Sequence, residues 1–368
     1  IEIDFTPLNL PQAEYTHIYK KYYPTPSSAL VYNIADYGAK SGEDSTEALK
    51  KALEDAGKTG GTVYVPQGEY YISDYITVPE GVELRGIYDM PTHPVTKGSV
   101  LMTEVGKNDE NGRAFITLSE GSGISGMSFY YTDQSYTDFI PYSWTVQSGG
   151  RSCWAVNCVF INSYNAADFG TNPSDNHYIS YISGSPLRRG LFIGNNGSNG
   201  WVENVQFNPH YWKRSSVSVK ETENMEELNN QINYTLESFI FGYTEAEHVL
   251  GTFAYGGASI LNFTEQNGKA ANGVFIGHGS DGCRTALTAD GIDTVVMINS
   301  ELVSMNYTGD MHHIVMNEGA KGTLALFNTS AWGQPLPSAI EVNGGRLLIS
   351  QLFYYNISDT ANIAVVNG

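Results

Sequence analysis

Residues 31–86 read VYNIADYGAKSGEDSTEALKKALEDAGKTGGTVYVPQGEYYISDYITVPEGVELRG, and this stretch decides the fold. Asp44 and Glu47 have the spacing of a helix-capping box, and small or apolar residues then recur on one helical face. A glycine pair ends that helix, and three short alternating strands follow, each broken by glycine or proline. A short amphipathic helix ahead of a ladder of strands is how a solenoid covers its first coil. The stretch therefore predicts a capped stack of strands, with helix over about residues 45–57.

A unit of turn plus short alternating strand recurs through the rest of the chain. Examples are GSGISGMSFYY, GRSCWAVNCVFINS and GSNGWVENVQFN, in which Phe129, Phe160 and Phe207 fall at equivalent places. The intervals between units run from roughly 26 to 31 residues where no loop is inserted, which suits one three-strand coil per repeat. The prediction is an all-β chain that forms a parallel β-helix.

The stretch at 31–86 resembles the amino-terminal module of the pectate-lyase-like β-helix superfamily. The shared features are a start like DYGA, then ALKKAL, then GGTVYVPQGEYYI and a strand that ends in LRG. The resemblance implies a single-stranded right-handed parallel β-helix with a short N-terminal capping helix. It implies no particular substrate, because that superfamily holds lyases, hydrolases, epimerases and phage tailspikes.

Two parts of the chain depart from the coil pattern. Residues 1–30 are rich in Tyr and Pro without a clear period, and we expect an N-terminal extension there, ahead of a β-helix domain at 31–368. An insertion at about 208–238 is charged and partly helical. Long insertions in a solenoid gather on one side and form its binding face, so this one is a candidate wall of a site. A solvated decoration is the alternative.

Composition argues against several classes of partner. The net charge of −19 argues against nucleic acid, because neutralising phosphates needs clustered Lys and Arg. No run of eighteen apolar residues occurs, so no membrane span is predicted. The three cysteines are too few for a disulfide framework and are predicted to be small buried residues. Metal-ligand spacings and phosphate-binding glycine loops are absent from the sequence, so no metal or cofactor is expected.

Aromatic content favours a carbohydrate partner. The chain has 25 Tyr and five Trp, whose planes suit the flat apolar faces of sugar rings. Tyr also decorates the solvent-facing strands of extracellular β-proteins that bind no sugar. We expect an oligosaccharide or polysaccharide substrate and a secreted, periplasmic or cell-surface location. The oligomeric state stays open.

Asp168 and Asp175 are the predicted catalytic pair of a glycoside hydrolase. Gly170, Asn172 and Pro173 lie between them, so a turn can bring the two carboxyl groups together. Glycoside hydrolysis needs two carboxyl groups, about 5–5.5 Å apart for retention and about 6.5–9.5 Å apart for inversion. The alternative is that each Asp caps a turn.

Further candidates surround this pair and are predicted to bind substrate. Histidines and tyrosines there could hydrogen-bond sugar hydroxyls, although lone histidines are more often structural. The predicted substrate-binding set is Trp144, His177, Tyr178, Arg188, His210 and Trp212. The runner-up function is a uronate lyase that uses Arg188 or His177. A non-catalytic glycan-binding or tailspike-like protein is the third interpretation.

Two known carbohydrate-active families bear on the choice. The Asp-x6-Asp spacing is similar to that in β-helix lacto-N-biosidases, which are retaining hydrolases that release a Gal-GlcNAc disaccharide. The resemblance implies that Asp168 and Asp175 act as acid/base and nucleophile, in either order. His278 in a Gly-His-Gly element, followed by Arg284, is similar to part of a polygalacturonase site. The Asn-Thr-Asp, paired-Asp and Arg-Ile-Lys elements of that site are absent from the sequence, which excludes polygalacturonase.

Overall fold

The computed structural model of the chain describes residues 24–89, 98–215, 225–305, 309–335, 337–355 and 361–365. Its strands pair in parallel with their equivalents in neighbouring coils, and they form three columns that we call sheets A, B and C. Each coil contributes to the sheets in that order. The predicted all-β parallel β-helix is confirmed. Most of the expected extension, residues 1–23, lies outside the described residues.

The strands divide among the three sheets as follows, and four long strands turn a corner from one sheet into the next. Sheet A contains Val31–Asn33, Gly61–Tyr64, Val82–Arg85, Gly123–Ser125, Trp154–Val156, Tyr178–Ser180, Asn196–Glu203, Thr244–Leu250, Ala271–Ile276, Ile292–Ile298 and the starts of Thr323–Gly333 and Arg346–Tyr355. Sheet B contains Gly68–Tyr71, Ser99–Thr103, Met127–Tyr131, Val159–Phe160, Ser183–Gly184, Gln206–Phe207, the starts of Phe253–Phe263 and Gly279–Ala289, Glu301–Ser304 and the ends of Thr323–Gly333 and Arg346–Tyr355. Sheet C contains Ile76–Val78, Ile116–Leu118, Trp144–Ser148, Asn165–Phe169, Arg189–Ile193, Glu237–Phe241, the ends of Phe253–Phe263 and Gly279–Ala289, His312–Met316, Ser338–Val342 and Ala361–Val365.

Helix α1 (Thr46–Gly57) covers the first coil, next to a 3-10 turn at Ile34–Tyr37. Asp44 Oδ1 accepts the backbone N–H of Thr46 at 2.9 Å, which satisfies one of the free donors at the helix start. The buried apolar face is the one that the sequence predicts: Ala48, Leu49, Ala52, Leu53 and Ala56. The helix over residues 45–57 is therefore confirmed to within one residue.

Inward residues form apolar ladders along the solenoid axis. Phe129 and Phe160 stack on adjacent coils of sheet B with 5.1 Å between ring centroids. Gly184 takes the next position and Phe207 the one after it, so the predicted equivalence of the three Phe residues is confirmed with one glycine between them. All three cysteines are free and buried, as predicted: Cys153, Cys158 and Cys283.

The corner between sheets A and B has a left-handed backbone in nine stacked positions. Gly and Asn adopt this conformation more readily than other residues do. Each corner is tied to its neighbour through the backbone; Asn157 N–H, for example, donates to the Ser180 carbonyl at 2.9 Å. The φ angles of the nine corner residues lie between 51° and 70°. These residues are Gly126, Asn157, Tyr181, Asn204, Gly251, Gly277, Asn299, Asn328 and Gln351.

The inserted segment packs on the outer face of sheet B. It contains helices α2 (His210–Arg214) and α3 (Met225–Thr235). A second hydrophobic cluster joins these helices to outward residues of the sheet, and its buried members include Val159, Ile161, Trp212, Leu228, Ile232 and Leu236. The described parts of the insertion, helices α2 and α3, therefore pack against the body.

Candidate functional site

The sequence-predicted site residues lie in separate parts of the solenoid. Trp144 and Asp168 belong to sheet C, and Tyr178 belongs to the outer face of sheet A. Trp212 packs on the outer face of sheet B, and His177 lies in the interior. These residues therefore do not share one cleft.

Asp168 lies on the outward side of strand Asn165–Phe169 and is fully buried. Its Oδ1 accepts the backbone N–H groups of Gly170 and Thr171 at 2.8 and 2.9 Å. Its Oδ2 accepts Gln147 Nε2–H at 2.7 Å. These are the contacts of a side chain that caps a turn, and they favour the structural alternative for Asp168.

Replacement of Asp168 by Ala is expected to lower the free energy of unfolding by about 2 kcal/mol, because two backbone N–H groups lose their acceptor. Asp168→Asn keeps an oxygen acceptor and is expected to cost less than about 1 kcal/mol. Chemical denaturation of the two variants measures both values. A catalytic Asp168 would instead make both variants equally inactive, because each lacks the ionisable group.

Asp175 lies in the turn before strand Tyr178–Ser180. Its Oδ2 accepts Arg151 Nε–H at 2.6 Å, and its Oδ1 accepts the backbone N–H of Gly197 at 2.7 Å. Both carboxylate oxygens are thus engaged within the protein. The assignment of Asp168 and Asp175 as an acid pair stays a prediction.

His177 is buried in the solenoid interior as part of an ion pair. Its Nε2 lies 3.0 Å from Glu247 Oε1, and its Nδ1 lies 2.8 Å from the Ser174 carbonyl. Asn196 Nδ2–H donates to the other Glu247 oxygen at 2.9 Å. Burial alone would lower the pKa of His177, but the Glu247 charge and these hydrogen bonds outweigh it and raise the pKa. The position favours a structural role for His177.

Tyr178 belongs to an aromatic column on the outer face of sheet A. It pairs in register with Trp154 on one side and with Trp201 on the other. Its hydroxyl donates to Glu203 Oε1 at 2.6 Å. All three rings are buried, so they form a small cluster of their own on this face.

Trp144 is the first residue of a sheet C strand, and Arg188 directly precedes the sheet C strand two coils further on. Arg188 Nη1–H donates to Glu237 Oε2 at 2.8 Å and to the Thr235 carbonyl, at the end of α3, at 2.9 Å. The guanidinium of Arg189 lies 5.9 Å from the centre of the Trp144 ring. Arg188 therefore ties the insertion to the sheet.

His210 is the predicted binding residue that borders a polar, partly open surface. Trp212, two residues later, is fully buried in the second hydrophobic cluster. The His210 ring is partly buried beside Tyr255, with 6.0 Å between ring centroids. Tyr255 lies on the outer face of sheet B, at the edge of the area that the insertion covers. Polar residues lie on the surface beyond it.

Two carboxyl groups meet on this face, and sequence reasoning missed both. Glu301 pairs in register with Gly279, and Asp281 lies two residues further along the same strand as Gly279. The register of these two strands shifts between Gly279 and Cys283, so regular spacing does not hold at Asp281. Asp281 pairs with Tyr255 of the preceding coil and lies on the outer face with it. The Glu301 charge raises the pKa of Asp281, so the two carboxyl groups are neighbours on this face. Asp281 is partly buried, and Glu301 is exposed.

The two carboxyl groups have different surroundings. Burial raises the pKa of Asp281, and the charge of Glu301 raises it further, while the Gly282 backbone N–H lowers it. Glu301 Oε1 accepts Trp332 Nε1–H at 2.7 Å, which holds the carboxylate in place. Asp281 therefore holds its proton more readily than an ordinary Asp does, and Glu301 has a fixed hydrogen-bond donor.

Aromatic planes flank the carboxyl pair. Tyr255 stands directly opposite Asp281 on the neighbouring coil. Gly282 has φ +59°, and a Cβ there would lie 2.9 Å from the Tyr255 ring, so glycine is required for both its backbone and its lack of a side chain. Trp332 stands beside Glu301 on the far side. Tyr255 and Trp332 therefore bracket the two carboxyl groups.

The insertion supplies one wall of this surface. Tyr234 of α3 is 52% exposed, and the Arg284 guanidinium lies 4.6 Å from the centre of its ring. Arg284 shares its strand with Asp281 and also donates to the Asp310 carbonyl at 3.4 Å. The site thus combines two carboxyl groups, a cation and aromatic planes.

The stretch GHGSDGCR at 277–284 contains the one sequence signal for this site. Sequence reasoning singles out His278, but His278 is buried, its Nδ1 lies 2.8 Å from the Thr252 hydroxyl, and burial lowers its pKa to about 4. Asp281, in the same stretch, is the residue that faces outward. The alternation of inward and outward residues identifies Asp281 as outward-facing only when the position of the corner at Gly277 is known.

No cluster of three or more His, Cys, Asp or Glu side chains suited to a metal ion occurs among the described residues. Within the same part of the chain, no helix is both long and apolar enough to cross a membrane.

The fold defines the class of protein: a pectate-lyase-like parallel β-helix. The family model described as rhamnogalacturonase A/epimerase, pectate lyase-like matches residues 31–239, and the chain belongs to this family. The superfamily resemblance drawn from residues 31–86 is therefore confirmed. The resemblance to lacto-N-biosidases stays a prediction.

Among curated proteins, the chain is similar to a probable rhamnogalacturonase E of Aspergillus niger, with 22% identity over 276 residues. The match covers 67% of this chain and 57% of the relative, so the chain spans little more than half the length of that relative.

Two solved structures show the shared fold. DFA-IIIase from Arthrobacter chlorophenolicus A6 aligns over 91% of this chain and 86% of its own, with a TM-score of 0.60 and 10% identity. A tailspike protein of Acinetobacter baumannii bacteriophage Fri1, described as a capsular polysaccharide depolymerase, aligns over 92% of this chain and 64% of its own. Its TM-score is 0.51 at 13% identity. At these identities the likeness concerns the fold alone.

Proposed function

We propose that this protein is a glycoside hydrolase that cleaves a complex glycan on the outer face of sheet B, with Asp281 and Glu301 as its two carboxyl groups. The contrast between these neighbours carries the proposal: Asp281 is partly buried with a raised pKa, and Glu301 is exposed and held by Trp332. Glycoside hydrolysis needs one carboxyl group that keeps its proton and one that stays ionised. The rhamnogalacturonase relative supports this reaction class.

The two carboxyl groups divide the chemistry between them. Asp281 delivers its proton to the leaving glycosidic oxygen, and Glu301 stabilises the positive charge that develops on the sugar ring. Glu301 then either attacks the anomeric carbon or activates a water molecule. The anomer released, measured by NMR, distinguishes retention from inversion.

Neighbouring side chains suit the binding of a sugar polymer. Tyr255 and Trp332 offer aromatic planes on either side of the carboxyl pair, and His210 lies within reach of the same surface. Long solenoid faces accept extended ligands, because each coil repeats the surface of the last. A polymeric glycan of this kind is met outside the cytoplasm, so we place the protein in a secreted, periplasmic or cell-surface location.

A second assignment puts the acid pair at Asp168 and Asp175, as the spacing shared with lacto-N-biosidases implies. Asp168 is fully buried, and its oxygens accept three hydrogen bonds. The residues that bury it would therefore have to move before it could contact a substrate. Asp281 and Glu301 need no such rearrangement. Their accessibility is the reason that we prefer them.

The lyase alternative requires a base beside cationic groups. Arg188 is paired with Glu237, and His177 is buried in the interior. Tyr164, which lies near Arg188, is a poor base, because burial and the Glu110 charge raise its pKa. These contacts favour hydrolysis over elimination.

Incubation of the protein with a panel of glycans, including rhamnogalacturonan and Gal-GlcNAc-terminated oligosaccharides, is expected to release new reducing ends without ultraviolet-absorbing unsaturated ends. The rate is expected to fall as pH rises through the raised pKa of Asp281, because the general acid loses its proton. Reducing-sugar assays across a pH series measure both. Unsaturated products would establish a lyase, and binding without any product would establish a non-catalytic protein.

A further inference from the structure

Tyr181 occupies a backbone position that suits it poorly. Seven of the nine stacked residues at the corner between sheets A and B are Gly or Asn, and Tyr181 has the same left-handed backbone with φ 53°. A bulky residue in this conformation is strained. Its side chain is 55% exposed, so little burial compensates for the strain. Strain that persists without a packing benefit points to a functional role.

Tyr181 lines a pocket of about 290 Å³ at this corner. The other aromatic walls are Tyr88, Tyr211 and Phe253, and amide groups come from Asn204 and Gln206. Among the described residues that line the pocket, none carries a charged side chain. The pocket therefore offers ring faces and paired amide donors and acceptors to an uncharged ligand.

We propose that this pocket binds sugar residues of a neutral oligosaccharide, with Tyr181 as the stacking platform. Tyr presents a large rigid face at little entropic cost, and its hydroxyl can hydrogen-bond water or a sugar hydroxyl. A side-chain amide can recognise two adjacent sugar hydroxyl groups, because its nitrogen donates a hydrogen bond and its neighbouring oxygen accepts one. The volume of about 290 Å³ lies just below the range of about 300–1,000 Å³ for small-ligand sites, which suits one or two sugar rings.

The pocket opens towards the same sheet that carries the carboxyl pair. Phe253 lies on the outer side of sheet B and pairs in register with Gly279, two residues before Asp281. A glycan chain that fills the pocket can therefore continue across sheet B towards Asp281. Binding at Tyr181 does not depend on catalysis, so the two proposals fail separately.

Isothermal titration with a neutral galactan tetrasaccharide, and with tetragalacturonate as the charged comparison, tests the site. Tyr181→Asn introduces the residue type that occupies the same corner on the two neighbouring coils, at Asn157 and Asn204. The variant is expected to bind the neutral tetrasaccharide at least about tenfold more weakly, because the platform is lost. It is also expected to melt roughly 1–3 °C higher, because the backbone strain is relieved.

Gln351→Asn is the matched control, because Gln351 is the other side chain at this corner that is neither Gly nor Asn. It is expected to leave the affinity unchanged, whereas Asp281→Asn is expected to abolish activity with binding intact. The proposal is overturned if Tyr181→Asn binds the neutral probe as tightly as the parent protein does. Binding of tetragalacturonate with equal affinity, or no binding of the neutral probe at millimolar concentration, overturns it as well.

Discussion

Asp281→Asn and Glu301→Gln are each expected to lower kcat on the order of a thousandfold or more, equivalent to about 4 kcal/mol of activation free energy. Each amide keeps the shape of the side chain but removes the ionisable group, so the proton donor or the charge stabiliser is lost. Initial rates with the best glycan of the panel measure the effect. Melting temperatures should change little, because Asp281 is only partly buried and Glu301 is exposed.

Asp168→Asn and Asp175→Asn are the matched controls for this experiment, since they make the same chemical change elsewhere on the solenoid. Both are expected to keep most of the activity. Active Asp281 and Glu301 variants, together with inactive Asp168 and Asp175 variants, would move the acid pair to the turn between sheets C and A.

Glu247→Gln is expected to lower the free energy of unfolding by about 3–5 kcal/mol near pH 6, because the buried imidazolium of His177 loses its counter-charge. The Glu247 oxygens accept from His177 and from Asn196 inside the solenoid, where water does not replace them. Chemical denaturation at fixed pH measures the loss. Glu301→Gln, a change at an exposed carboxylate, is the control and should cost much less.

The same ion pair makes stability depend on pH. The folded-state pKa of His177 is raised, so its stabilisation is fully present below the unfolded value of about 6.5. That stabilisation is lost as pH rises through the raised value. The melting temperature of the parent protein should therefore fall more steeply over this window than that of Glu247→Gln. Parallel slopes for the two proteins would show that His177 is not charged in the folded state.

Local periodicity in the sequence was enough to predict the fold. The apolar stripe of α1 depends on contacts three and four residues apart, and the coil repeats depend on alternation within short strands. Phe129, Phe160 and Phe207 were placed correctly because each repeat carries its own turn residues. These features need no knowledge of which coils become neighbours.

The site could not be derived in the same way, because its members come from different coils. Asp281 meets Glu301 only through the register of adjacent coils, and Trp332 reaches Glu301 from the coil beyond. His177 looked like a surface residue beside Tyr178, but its hydrogen-bond partner Glu247 lies in the interior two coils away and 70 residues later in the sequence. Sequence spacing alone contains no information on these contacts.

A crystal structure of the Asp281→Asn variant with a bound oligosaccharide tests the central claim most directly. We predict a sugar ring against Tyr255 or Trp332, with the glycosidic oxygen within about 3.2 Å of the side chain at position 281 and the anomeric carbon facing Glu301. An oligosaccharide bound instead over Trp144, with its glycosidic oxygen beside Asp168 or Asp175, would contradict the assignment.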